Sequence, residues 1–127
     1  MRALAPGYGA TVIQHVALEV GEADGEAEVA FWALLNFAEV QPPESLASRA
    51  RWVAREGTQV HLLWKEDPVV PPAGHVAVVC PDHDATLDRL RAAGFTPEPR
   101  AEHWGAPRAF VHSPAGHRIE VMAAPPG

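Results

Sequence analysis

The sequence has a single cysteine, Cys80, so no disulfide can form within the chain, and the cytoplasm is the expected location. It has no uninterrupted apolar run of the ~18 residues a membrane helix needs. Its N-terminal stretch MRALAPGYGATVIQ lacks the apolar core of a secretory signal. Basic residues are in deficit: 10 Lys and Arg against 16 Asp and Glu give a formal charge of −6. That balance argues against a general nucleic-acid binder, which carries a basic patch or stripe. No Ser-His-Asp grouping, phosphate-binding glycine loop or paired-cysteine zinc motif is visible. What remains is a chain of 127 residues, 47% apolar and 20% charged, which suits one compact domain, 1–127. Its 13 prolines and 10 glycines are spread between periodic segments as turn markers.

The chain repeats itself. QHVALEV (14–20) and GHVAVVC (74–80) both contain His-Val-Ala within a strand-like run. An offset of 58–60 residues also places Asn36-Phe37 on Gly94-Phe95, Trp52 on Phe110, Gly57 on Gly116, Val60 on Ile119 and His61 on Glu120. The first half (12–65) reads as a strand, a helix over ADGEAEVAFWALLNF, an extended stretch at 38–48 broken by Pro42-Pro43, and two strands joined at Glu56-Gly57. EDPVVPPAG (66–74) is a proline-rich connector. The second half (74–123) repeats the order: HVAVVC, the amphipathic DHDATLDRLRAAG, the extended FTPEPR, then PRAFVHS and HRIEVMA around a SPAG turn.

Side chains alternate between the two faces of a strand. Val16, Leu18 and Val20 therefore oppose His15, Ala17 and Glu19, and Val60, Leu62 and Trp64 oppose Gln59, His61 and Leu63. In the second half Val76, Val78 and Cys80 oppose His75, Ala77 and Val79, while Ile119 and Val121 oppose Arg118, Glu120 and Met122. The apolar sets are expected under the helices. His15, His61, His75 and Glu120 then face the other way, one on the first and one on the last strand of each half.

At these residues the sequence resembles the vicinal oxygen chelate superfamily, which includes glyoxalase I, methylmalonyl-CoA epimerase, fosfomycin-resistance enzymes, extradiol dioxygenases and bleomycin-binding proteins. FWALLNF, LRAAGF and SPAGHRIEVM are similar to that family's phrasing, and the resemblance spans residues 12–122. It implies an α+β fold of two tandem βαβββ modules, with a curved, barrel-like mixed sheet enclosing a metal cleft and helices outside. It implies one divalent metal ion (Zn, Ni, Co, Fe or Mn) on His15, His61, His75 and Glu120, and a homodimer. Three imidazoles and a carboxylate suit such ions, and a buried carboxylate among them is costly unless paired or metal-bound.

The implied chemistry is Lewis-acid catalysis of lyase, isomerase or epimerase type on an oxygen-rich small molecule, with Glu120 moving a proton. His61 departs from the glutamate of glyoxalase I and the glutamine of the epimerase at this position, and a fourth ligand would crowd an extradiol-type dioxygenase. The non-catalytic alternative is a drug-binding protein of the bleomycin-resistance kind. Trp52, Arg108 and Phe110 are the candidate substrate contacts. His83, at a helix start, and His117, after Gly116, are expected at the surface, and Cys80 is expected to be buried and inert.

Overall fold

The computed structural model describes residues 9–127; the first eight residues of the N-terminal stretch lie outside them. The first module runs β1 (His15–Val20), a 3-10 turn (Glu22–Asp24), α1 (Gly25–Leu34), β2 (Ala38–Val40), β3 (Ala50–Arg55) and β4 (Thr58–Trp64). The second runs β5 (Val76–Val79), α2 (His83–Ala92), β6 (Glu98–Arg100), β7 (Arg108–His112) and β8 (Arg118–Met122). The architecture is α+β. Each module makes a four-stranded sheet of the same order, β1-β4-β3-β2 and β5-β8-β7-β6. The first and last strands of each module pair in parallel, and the other pairs are antiparallel.

The repeat extends to the turns. Both helices end on a residue with positive φ, Asn36 (67°) and Gly94 (94°). In each case the next residue reaches back over the last turn: Phe37 N–H donates to the Trp32 carbonyl and Phe95 N–H to the Leu90 carbonyl, both at 3.0 Å. This is the left-handed C-terminal cap, closed by an apolar contact such as Trp32 against Phe37. Glu56 (φ 48°) and Gly57 (φ 82°) form the two-residue hairpin between β3 and β4, with the twist that suits adjacent strands. Strand β2 is only three residues long. Pro42 and Pro43 have no N–H to donate to a ladder, and the chain then turns until Ala50.

The alternation of faces holds. Val20, Val53, Val60, Leu62, Val111, Ile119 and Val121 are buried and join Phe31, Trp32, Leu87 and Leu90 in one apolar cluster. That cluster crosses the boundary between modules, where Phe31 and Phe95 pack edge to face at 5.0 Å. Polar contacts reinforce the junction. Buried Glu28 of α1 accepts a hydrogen bond from the Ala115 N–H at 2.8 Å. His117 Nε2 donates to the Glu19 carbonyl at 2.7 Å, which fixes the proton on that nitrogen. His117 is therefore a buried clasp between modules rather than a surface residue. His83 is also buried, because α2 sets its first turn against the body of the protein. Cys80 is buried as expected, and burial pushes its thiol pKa up.

Candidate functional site

Opposite the core, each sheet presents an open face. On the first, β1 and β4 run in parallel with Ala17 beside His61, and β3 places Trp52 directly across from His61. That register forces a stack of three rings. Trp52 lies on His61 at 3.8 Å between centroids and 3° between planes, and His15 covers the other side at 4.0 Å and 17°. Glutamines hold the imidazoles: His61 Nε2 lies 2.8 Å from Gln59 Oε1, and His15 Nδ1 lies 2.8 Å from Gln14 Oε1. His61 is buried, and its pKa falls below the ordinary histidine value, first because burial disfavours the charged ring and second because His15 sits against it. Beside the stack is a cavity of 310 Å³ walled by Leu46, Ala50, Trp52, His61, Leu63 and Trp64, with Arg49 and Lys65 as its charged members. This is at the small end of the range for ligand pockets.

The second open face has the same register and different chemistry. Phe110 on β7 takes the place of Trp52, directly across from Glu120 on β8, which takes the place of His61. Glu120 is buried and shared: His75 Nε2 lies 3.0 Å from one oxygen and Arg108 Nη1 lies 3.4 Å from the other. His75 Nδ1 donates to the Ala73 carbonyl at 2.9 Å, which leaves Nε2 to face the carboxylate. Arg108 is further held by the Ala101 carbonyl at 2.8 Å.

The four candidate metal ligands thus occur as two pairs, one on each face. Among the described residues no group of three or more His, Cys, Asp or Glu side chains comes together to hold an ion. The pairs differ in fitness. Bonds of about 2.0–2.2 Å to one ion set neighbouring donor atoms about 3.0–3.5 Å apart, which His75 and Glu120 satisfy at 3.0 Å. His15 and His61 do not fit as they stand. An imidazole lone pair lies in the ring plane, and an ion cannot sit at bonding distance in two stacked planes. The described residues thus offer one pair spaced for an ion, His75 with Glu120, and one pair that is not, His15 with His61.

Of the expected substrate contacts, Trp52 lies in the stack and cavity wall, while Arg108 and Phe110 lie together on the second face. The sequence reading missed the cavity residues Leu46, Arg49 and Lys65. The first two come from the turn segment after Pro42-Pro43, which has no periodicity to flag them.

The chain matches the model of a glyoxalase-like domain over residues 8–122. It belongs to the glyoxalase-like domain family. Solved structures agree on the fold. A glyoxalase family protein from Bacillus anthracis superposes with a TM-score of 0.81 at 22% identity, covering 96% of this chain and 98% of that one. The oxidase ChaP-H2 gives a TM-score of 0.74 at 22% identity, covering 92% and 96%. TnmS3, an antibiotic-binding protein from a Streptomyces species, gives 0.68 at 21% identity, covering 89% and 95%. At these identities the likeness carries the fold alone. Comparison with curated proteins gives no match. No helix among the described residues is long and apolar enough to cross a membrane.

Proposed function

We propose that this glyoxalase-like domain, one unit built of modules 12–65 and 74–123, is a small-molecule-binding protein that takes a flat aromatic ligand on its first open face. The observation that carries this reading is the Trp52–His61–His15 stack beside an apolar cavity. Stacked rings held by neighbours offer contact area at low conformational cost, and apolar walls with few polar groups are the usual make-up of ligand sites. The fold is shared with an antibiotic-binding protein, which supports a binding role. The lone buried Cys80 is in keeping with a cytoplasmic setting. Titration with naphthamide, followed by tryptophan fluorescence, tests the reading. Saturable quenching that disappears in Trp52→Ala supports it; no binding, or binding unaffected by Trp52→Ala, refutes it.

A second reading, a metal-dependent enzyme, is favoured by the His75–Glu120 spacing. It requires a homodimer in which one copy's His75 and Glu120 meet His15 and His61 of another. When bound, a divalent metal of the Zn, Ni, Co, Fe or Mn class would polarise substrate oxygens as a Lewis acid. Glu120, already hydrogen-bonded to His75, would be the group to hold or move a proton. Metal analysis of protein purified without chelator, with its oligomeric state measured alongside, decides this reading.

A further inference from the structure

Beyond the His75–Glu120 pair, the second open face gathers basic side chains on one aromatic ring. Phe110 stands at its centre, and three guanidinium groups gather round the ring. Their carbons lie 4.9 Å (Arg118), 5.3 Å (Arg100) and 5.4 Å (Arg108) from its centroid. A chain with a net charge of −6 thus places three of its 10 basic residues on one aromatic side chain. The register explains how. Arg100 and Arg118 sit diagonally from Phe110 on β6 and β8, and Arg108 precedes it by two on β7.

The carboxylates on this face do not balance all three. Glu120 is engaged by Arg108 and His75. Glu98, directly across from Phe110, lies 3.9 Å from Arg100 at the exposed rim. Arg118 is half-buried and has no carboxylate partner among the described residues. Like charges crowded on a low-polarity surface favour a counter-ion, and a guanidinium presents a planar fork that matches a carboxylate. The ring between them adds an apolar surface for the body of the same ligand.

We propose that Arg118, Arg100 and Phe110 form a recognition site for an aromatic carboxylate. It is distinct from the Trp52 cavity and stands whether or not that cavity is used. Naphthoate, its uncharged analogue naphthamide, and inorganic phosphate are the probes, read by calorimetry and by amide NMR shifts. The full-length Trp52→Ala protein serves as host, so the cavity on the first face cannot supply the signal. Naphthoate should bind about tenfold more tightly than naphthamide, the increment of one charge-assisted contact. It should shift amides of β6–β8, and it should lose that preference in Arg118→Gln.

Arg100→Gln is a second, rim-side variant that should weaken naphthoate if Arg118→Gln does not fold, as judged by its circular dichroism. Three results overturn the proposal: equal affinity for naphthoate and naphthamide, no naphthoate binding, or a preference that survives both substitutions. Phosphate binding as tightly as naphthoate overturns the role of the ring. Loss of naphthamide binding through Trp52→Ala in the otherwise native protein bears only on the first face, so the two readings fail separately.

Discussion

Trp52 and His61 offer a direct test of whether the stack is an energetic unit. The rings are nearly parallel with centroids 3.8 Å apart, and such a pair contributes about 0.5–1.5 kcal/mol beyond the area it buries. Trp52 is only half-buried, so Trp52→Ala should destabilise by less than the ~3–5 kcal/mol of a core aromatic truncation. His61→Ala should lose the stack on both sides. In a double-mutant cycle read by urea unfolding at pH 8, the coupling should be about 1 kcal/mol. Additivity within ~0.3 kcal/mol would show the parallel rings to be a coincidence of register and would remove the main support for aromatic ligand binding.

Acid adds an independent check. Burial and His15 lower the pKa of His61 in the folded state, while the unfolded chain takes up its proton at the ordinary value near 6.5. The unfolded state therefore binds more protons as the pH falls below ~6.5, and the stability tied to neutral His61 is lost from there down through the folded value. His61→Gln should flatten the pH dependence of stability in that window and leave its slope unchanged above neutrality, on top of a pH-independent loss from the missing stack. An unchanged acid limb would refute the assignment.

Other substitutions probe the frame. Phe31→Ala, at the contact between modules, should destabilise by about 3–5 kcal/mol, seen as a lowered urea midpoint with a single transition. Gly94→Ala places a Cβ at φ 94° and should destabilise by about 1–2 kcal/mol, read as a fall in melting temperature. Gly25→Ala drives a methyl into the Trp64 indole and should destabilise by about 1–3 kcal/mol, with a change in tryptophan fluorescence. Protein purified without chelator should carry well under one equivalent of transition metal as a monomer; a full equivalent would favour the metal-dependent reading.

The repeat, the two-module α+β plan and the buried faces were legible because each rests on local rules. Period-two alternation sorts Val60 from His61, and a left-handed cap needs a residue such as Asn36 or Gly94. Rules of that kind do not report where one module lies against the other. Parity correctly put His15, His61, His75 and Glu120 on open faces but could not say that they form two pairs instead of one cluster. The same blindness hid His117. A residue after a turn glycine looks solvated until another module supplies the Glu19 carbonyl above it. The cavity wall from 46 to 49 was illegible because turns have no period.

The two faces show what duplication leaves free to change. Backbone register is the same, with Trp52 across from His61 and Phe110 across from Glu120, yet the charges diverge. On the first face a neutral imidazole fills the space between two rings. On the second a buried carboxylate lies between an imidazole and a guanidinium. Arg108 matters most to the choice between readings. Held at 3.4 Å from Glu120 and fixed by the Ala101 carbonyl, it already supplies a positive charge to the oxygen that does not face His75. A metal ion on the His75 side would share that carboxylate with the Arg108 guanidinium, and repulsion between the two cations would weaken its binding. Arg108→Gln should therefore raise the affinity of the His75–Glu120 pair for a divalent ion. Zinc titration that shows no binding to either protein would leave Glu120 as the structural counter-charge of an arginine-rich face.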